Sequence, residues 1–108
     1  MPDQIDTVDI RNTTPVEGTI QDMRKKKNVL LKIVNGLDED VTVEMVSTTF
    51  DDKLVAEGVT THSILVPAGD TDYLVNTDPW AWLRSISTAA IAPTTGSLKL
   101  VWVSKGLA

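Results

Sequence analysis

Few side chains in this sequence could do chemistry, and they are scattered. His62 is the single histidine and there is no cysteine. Neither a histidine-based metal cluster nor a thiolate site can therefore be built within one chain. A Ser-His-Asp set would need His62 and a distant serine, and no serine stands in the setting of a nucleophile elbow. His62 reads as a strand-surface residue. Asp51-Asp52 and the pair Asp70 and Asp72 fall in or beside turns, where solvation accounts for them without a glycosidase-type carboxylate pair. Asp38-Glu39-Asp40 offers oxygens to a hard cation but lacks the spacing of a full calcium loop, and reads as a solvated turn. There is no glycine-rich phosphate loop. Asn12-Thr13-Thr14 fits a glycosylation sequon, a motif common by chance and effective only on secretion. These observations predict a protein that is not an enzyme and takes no cofactor.

Binding chemistry is better represented. Trp80 and Trp82 are two apart, so on a strand they share one face. Arg84 and Ile86 continue that face, while Ala81, Leu83, Ser85 and Ser87 form the other. An apolar face with an arginine suits a protein interface, where Trp and Arg are common hot spots. The alternative is an aromatic platform stacking on a glycan, as in carbohydrate-binding modules. Arg24, Lys25, Lys26 and Lys27 form the one dense basic cluster. It either docks on an acidic partner surface or is a solvated cluster that discourages edge pairing. The formal charge of −5 argues against general nucleic-acid affinity, which needs a basic face to displace phosphate counterions. The apolar runs are short and interrupted, below the roughly 20 residues of a spanning helix, so no membrane partner is expected. Met1 to Asp6 lacks the basic and apolar regions of a signal peptide. The expectation is a protein that stays in the cell that makes it or leaves by assembly or lysis.

The elements that must position these residues follow from period-two patterning. A length of 108 residues suits one domain. Residues 1–27 are polar, contain Pro2 and Pro15 and hold one short alternating run, Ile5 to Ile10. They predict an extended N-terminal arm that is ordered on a partner. Residues 28–108 predict the folded body. Asn28 to Asn35 alternates Val29, Leu31 and Ile33 against Leu30, Lys32 and Val34. That strand is apolar on most of both faces and implies burial or an interface. Asn35-Gly36 is a turn signal, since both residues tolerate positive φ. Val41 to Phe50 alternates strictly, Lys53 to Ala56 reads as a short edge strand, and Val59 to Val66 is half polar. Pro67-Ala68-Gly69-Asp70 is a turn, followed by Thr71 to Asn76. The tryptophan strand and a last strand, Ser97 to Ser104, are joined by a loop from Thr88 to Gly96. Trp102, in register with Leu98 and Leu100, belongs in the core. No segment has a helical period. The prediction is an all-β, antiparallel β-sandwich of jelly-roll or Ig-like type with about six to eight strands. Leu30, Val34, Val46, Val101 and Val103 fall opposite the core positions. They supply more apolar surface than one small core requires, which implies a homo-oligomer.

The stretch Pro79-Trp80-Ala81-Trp82-Leu83-Arg84, followed by Ala92-Pro93-Thr94-Thr95-Gly96-Ser97-Leu98-Lys99-Leu100, resembles a hairpin of small jelly-roll-like β-sandwich proteins of tailed bacterial and archaeal viruses. Ser85 and Ser87 stand where that pattern has valines. The resemblance covers about the last quarter of the chain. It implies a non-enzymatic virion structural protein, made in the host cytoplasm, acting in capsid decoration or as a head–tail component. Its implied partners are other virion proteins: the major capsid protein or neck and tail subunits. The competing expectations are a carbohydrate-binding or adhesion module and a small cellular Ig-like interaction domain.

Overall fold

The computed structural model describes residues 4–22, 28–48, 59–76 and 82–105. These contain nine strands: β1 (Gln4–Val8), β2 (Val16–Glu17), β3 (Gln21–Asp22), β4 (Asn28–Asn35), β5 (Val41–Thr48), β6 (Val59–Val66), β7 (Thr71–Asn76), β8 (Trp82–Thr88) and β9 (Leu98–Lys105). Sheet A runs β1-β9-β4-β7, and sheet B runs β2-β8-β5-β6 with β3 also on β8. Every pairing is antiparallel. With β2 and β3 counted as one interrupted strand, the pairings nest: first with last, second with second-last, and so inward. Such nesting is a long antiparallel ribbon rolled onto itself, a jelly-roll sandwich. The expected fold class is therefore the observed one.

The core is the inner surface of both sheets. Val29, Leu31 and Ile33 of β4 and Leu98, Leu100 and Trp102 of β9 meet Val41, Val43 and Met45 of β5 and Leu83 of β8. The period-two pattern puts one set of side chains inward along each strand. Here the turn chemistry differs from expectation. Asn35-Gly36 does not make a positive-φ hairpin: among the described residues the positive φ values belong to Gly69 and Gly96. The chain crosses there from sheet A to sheet B. Asn35, 1% exposed, holds that crossing. Its Nδ2 donates to Val66 O at 2.9 Å and Glu39 O at 3.1 Å, and its Oδ1 accepts from Leu37 N at 3.0 Å. Its backbone exchanges bonds with the β6–β7 turn, accepting from Gly69 N at 2.8 Å and donating to Asp70 O at 2.9 Å. That turn closes through Asp70 N donating to Pro67 O at 3.0 Å, with Gly69 at φ +82.

The β8–β9 loop packs against the same corner. Gly36 N donates to Ser97 O at 2.9 Å. At Gly96, φ is +89, and a Cβ would lie 1.9 Å from Gly36 O. Gly69 has a similar φ but nothing within 4 Å of a Cβ. Gly96→Ala is therefore expected to destabilise distinctly more than Gly69→Ala, whose cost is the dihedral penalty of about 1 kcal/mol. Equal melting temperatures for the two variants would contradict the close approach.

Two expectations about connectivity change. The tryptophan strand and the last strand do not form a hairpin. β8 lies in sheet B and β9 in sheet A, so they face each other across the core. Residues 1–27 are not separate from the sheets over their described part. β1 pairs along its whole length with β9, and β2 and β3 pair with β8. The Asp6 carboxylate, on β1, accepts from Thr19 N at 3.2 Å, Thr19 Oγ1 at 2.9 Å and Gln4 Nε2 at 3.0 Å. It thereby ties the edge of one sheet to the β2–β3 link of the other. Gly18 N donates to Ser85 O at 2.8 Å, and a Cβ at 18 would come 2.4 Å from Ser85 Oγ. The glycine and the small Ser85 together allow that approach. Strands of two residues are too short to leave an alternating signature, which is why the sequence pattern missed them.

Candidate interaction surfaces

The residues first considered for chemistry do not converge. His62 and Ser85 both pair with Met45, from opposite sides. They are thus two strands apart, about 10 Å at the spacing of a sheet, with a methionine between. His62 is half-buried, and its Nδ1 lies 3.1 Å from Thr61 Oγ1. Ser85 and Ser87 are both buried and point into the sandwich, where their hydroxyls have no described hydrogen-bond partner. Asp38 serves the corner: its carboxylate accepts from the Thr94 hydroxyl and from Thr94 N at 2.8 Å. Those bonds, the hydroxyl's first, hold its pKa below the ordinary aspartate value. Asp40 Oδ1 accepts from Ala68 N at 3.0 Å. Among the described residues no group of three His, Cys, Asp or Glu side chains could hold a metal ion.

What the fold does build is surface. On the outer face of sheet A the registers align three rows. Val103, Leu30 and Val75 lie side by side in the first. Ile5, Val101, Lys32 and Tyr73 form the second, and Thr7, Lys99, Val34 and Thr71 the third. Ile5, Tyr73 and Val75 are each about half exposed, at 47%, 49% and 52%. A shallow groove of about 270 Å³ runs among Asn28, Val29, Leu30, Val75 and Val103. Leu30 and Val34, two of the expected interface residues, thus lie on this face and are half-buried within their own chain.

The outer face of sheet B differs. Thr88, Thr42 and Leu65 form one row, and Glu17, Ile86, Glu44 and Ser63 the next. A second groove, about 230 Å³, is lined by Glu39, Asp40, Thr42, Leu65, Ala90 and Ile91. Leu65 and Ile91 are prominently exposed, at 57% and 64%. Arg84 lies on this face, and its guanidinium donates to Glu17 at 2.7 Å. Trp82 is 4% exposed, so it offers no open aromatic platform. Trp102 is fully buried in the core. Val46 is also buried, beside a register shift between Met45 and Val46, which corrects its assignment as spare outward surface. Trp80 and the cluster Arg24, Lys25, Lys26 and Lys27 lie outside the described residues, as does the expected edge strand Lys53 to Ala56. Sequence reasoning missed Val75, Tyr73, Leu65 and Ile91 as surface apolar residues. For Tyr73 and Val75 the signal was present: both lie on one side of a strand whose other side carries Leu74 and Asn76 inward.

No known protein family and no curated protein sequence matches this chain. Among solved structures, the crystal structure of PirA superposes with a TM-score of 0.68 at 13% identity, over 93% of this chain and 92% of that one. A protein of the Bacillus endospore appendages, described as a family of disulfide-linked pili, superposes with a TM-score of 0.57 at 14% identity, over 97% of this chain and 88% of that one. The Tobacco streak virus coat protein gives a looser match, at a TM-score of 0.45 and 8% identity over 98% of this chain and 89% of that one. At such identities the first two likenesses are likenesses of fold, and the fold they share with this chain is the two-sheet sandwich.

Proposed function

We propose that this chain is a non-enzymatic structural subunit that assembles with copies of itself and with neighbouring proteins of a particle. Its most specific form is a virion structural protein, a capsid decoration or head–tail component. The observation that carries the reading is the outer face of sheet A: an apolar row of Leu30, Val75 and Val103, with Ile5, Val101 and Tyr73 beside it, on strands whose inner faces already fill the core. A monomer would leave that surface in water, and contiguous apolar patches of this kind mark interaction sites. One of the fold neighbours is a pilus protein, which is compatible with an assembling role. The 108 residues here contain no cysteine, so the cohesion these residues supply comes from packing and charge. Residues 24–27 supply a basic cluster for an acidic neighbour, the major capsid protein or a neck or tail subunit in the virion reading.

Sedimentation velocity across low to high micromolar concentrations tests this. Mass action should drive the chain into oligomers as concentration rises. Val75→Glu should shift the distribution toward monomer while leaving the circular dichroism spectrum unchanged. A species that stays monomeric throughout and instead binds on a glycan array would replace this reading with the carbohydrate-binding one.

A further inference from the structure

We infer that copies of this chain join head to tail, the outer face of sheet A of one copy seating on the outer face of sheet B of the next. This rests on the self-assembly proposed above and names its geometry. The two faces lie on opposite sides of one sandwich, whose shortest dimension is 17 Å, so a single copy presents both at once.

Their chemistry is complementary. In the three rows of the sheet A face the charged residues are Lys32 and Lys99, set among apolar side chains. The sheet B face carries Glu44 in its rows and Glu39 and Asp40 on the rim of its groove. Its described cation, Arg84, is engaged by Glu17. Each face also has an apolar centre to bury: Leu30, Val75 and Val103 on one, Leu65 and Ile91 on the other. Like-with-like pairing fails on charge. A two-fold contact between sheet A faces would bring lysines toward lysines, and one between sheet B faces would bring acids toward acids. Such juxtapositions oppose binding once the charges lose their water. Pairing A on B places cations against acids and apolar surface against apolar surface. A contact between two different patches is heterologous, so it propagates into a ring if its rotation closes and a filament if it does not.

Charge reversal at outward positions tests the pairing. Lys32→Glu/Lys99→Glu makes the sheet A face acidic, and Glu39→Lys/Glu44→Lys makes the sheet B face basic. Each double variant alone then opposes like charges at the A–B contact, and its apparent association should weaken by about tenfold or more. An equimolar mixture of the two restores opposite charges at both contacts and should reassemble. So should one chain carrying all four reversals, which also controls for folding damage in either double variant. Sedimentation velocity with circular dichroism on each variant reads all of this. Assembly unchanged by Glu39→Lys/Glu44→Lys would overturn the inference in favour of a two-fold A–A contact, leaving self-assembly intact. A mixture and a fourfold variant that both stay dissociated would overturn it as well. A wild-type chain that never associates would remove the self-assembly reading itself.

Discussion

Replacing Trp102 with alanine is expected to lower the unfolding free energy by about 3–5 kcal/mol, the usual cost of emptying a large buried aromatic site. The side chain is fully buried in the middle of sheet A. It stands across from Leu31 on β4 and from Gln4 on β1, so removal opens a void between both sheets rather than at an edge. Partial collapse is resisted because strands on either side hold β9 in register. Its Nε1 has no described hydrogen-bond partner, so its contribution comes from packing. Trp102→Phe should therefore cost less than half as much, since it keeps most of the apolar volume and deserts no acceptor. Urea denaturation of the three proteins, followed by circular dichroism, checks this. A Phe variant as damaged as the Ala variant would mean that the indole nitrogen matters after all.

The second large effect is expected at Asn35. Truncation to alanine strands Val66 O, Glu39 O and Leu37 N, all held by the one side-chain amide. Buried polar groups left without partners cost about 1–3 kcal/mol each. Water reaching the partly buried Glu39 carbonyl will offset some of that, so a loss of about 2–5 kcal/mol is expected in total. Asn35→Asp separates hydrogen bonding from size. The ionised carboxylate cannot donate to either carbonyl and would be buried, so its folded pKa should rise above the unfolded value. A group with a raised folded pKa adds stability that is greatest below its unfolded pKa and is lost as pH rises toward the folded one. The Asp variant should thus lie nearer wild type at acid pH than at neutral pH. Melting curves at both pH values decide it. A gap that widens toward acid would show that the corner is not held by donation from residue 35.

These two residues also mark how far the sequence could be read. Trp102 was legible: its alternation with Leu98 and Leu100 put it inward, and the structure buries it. Asn35 was legible as a turn residue, but its task was not. An Asn-Gly pair at a strand end fits a hairpin equally well, and only the presence of Val66 and Glu39 nearby makes its side chain a clasp between sheets. Surface residues divide the same way. Tyr73 and Val75 alternate plainly with inward neighbours, whereas Ile91 sits in a loop with no period to read.

By itself the sequence determined the class of the fold, the bounds of β4, β6 and β7, and the two faces of β4 and of β7. Those properties are local: a period of two and a turn residue carry them without reference to the rest of the chain. Partnership was decided only by the tertiary structure. Which strand lies beside which depends on burying every apolar face at once, and that placed β8 and β9 in opposite sheets and drew residues 4–22 into both. The charge contrast between the two outer faces belongs to the same level. Lys32 and Lys99 become neighbours only when β4 and β9 pair, so no window along the chain contains their half of the pattern.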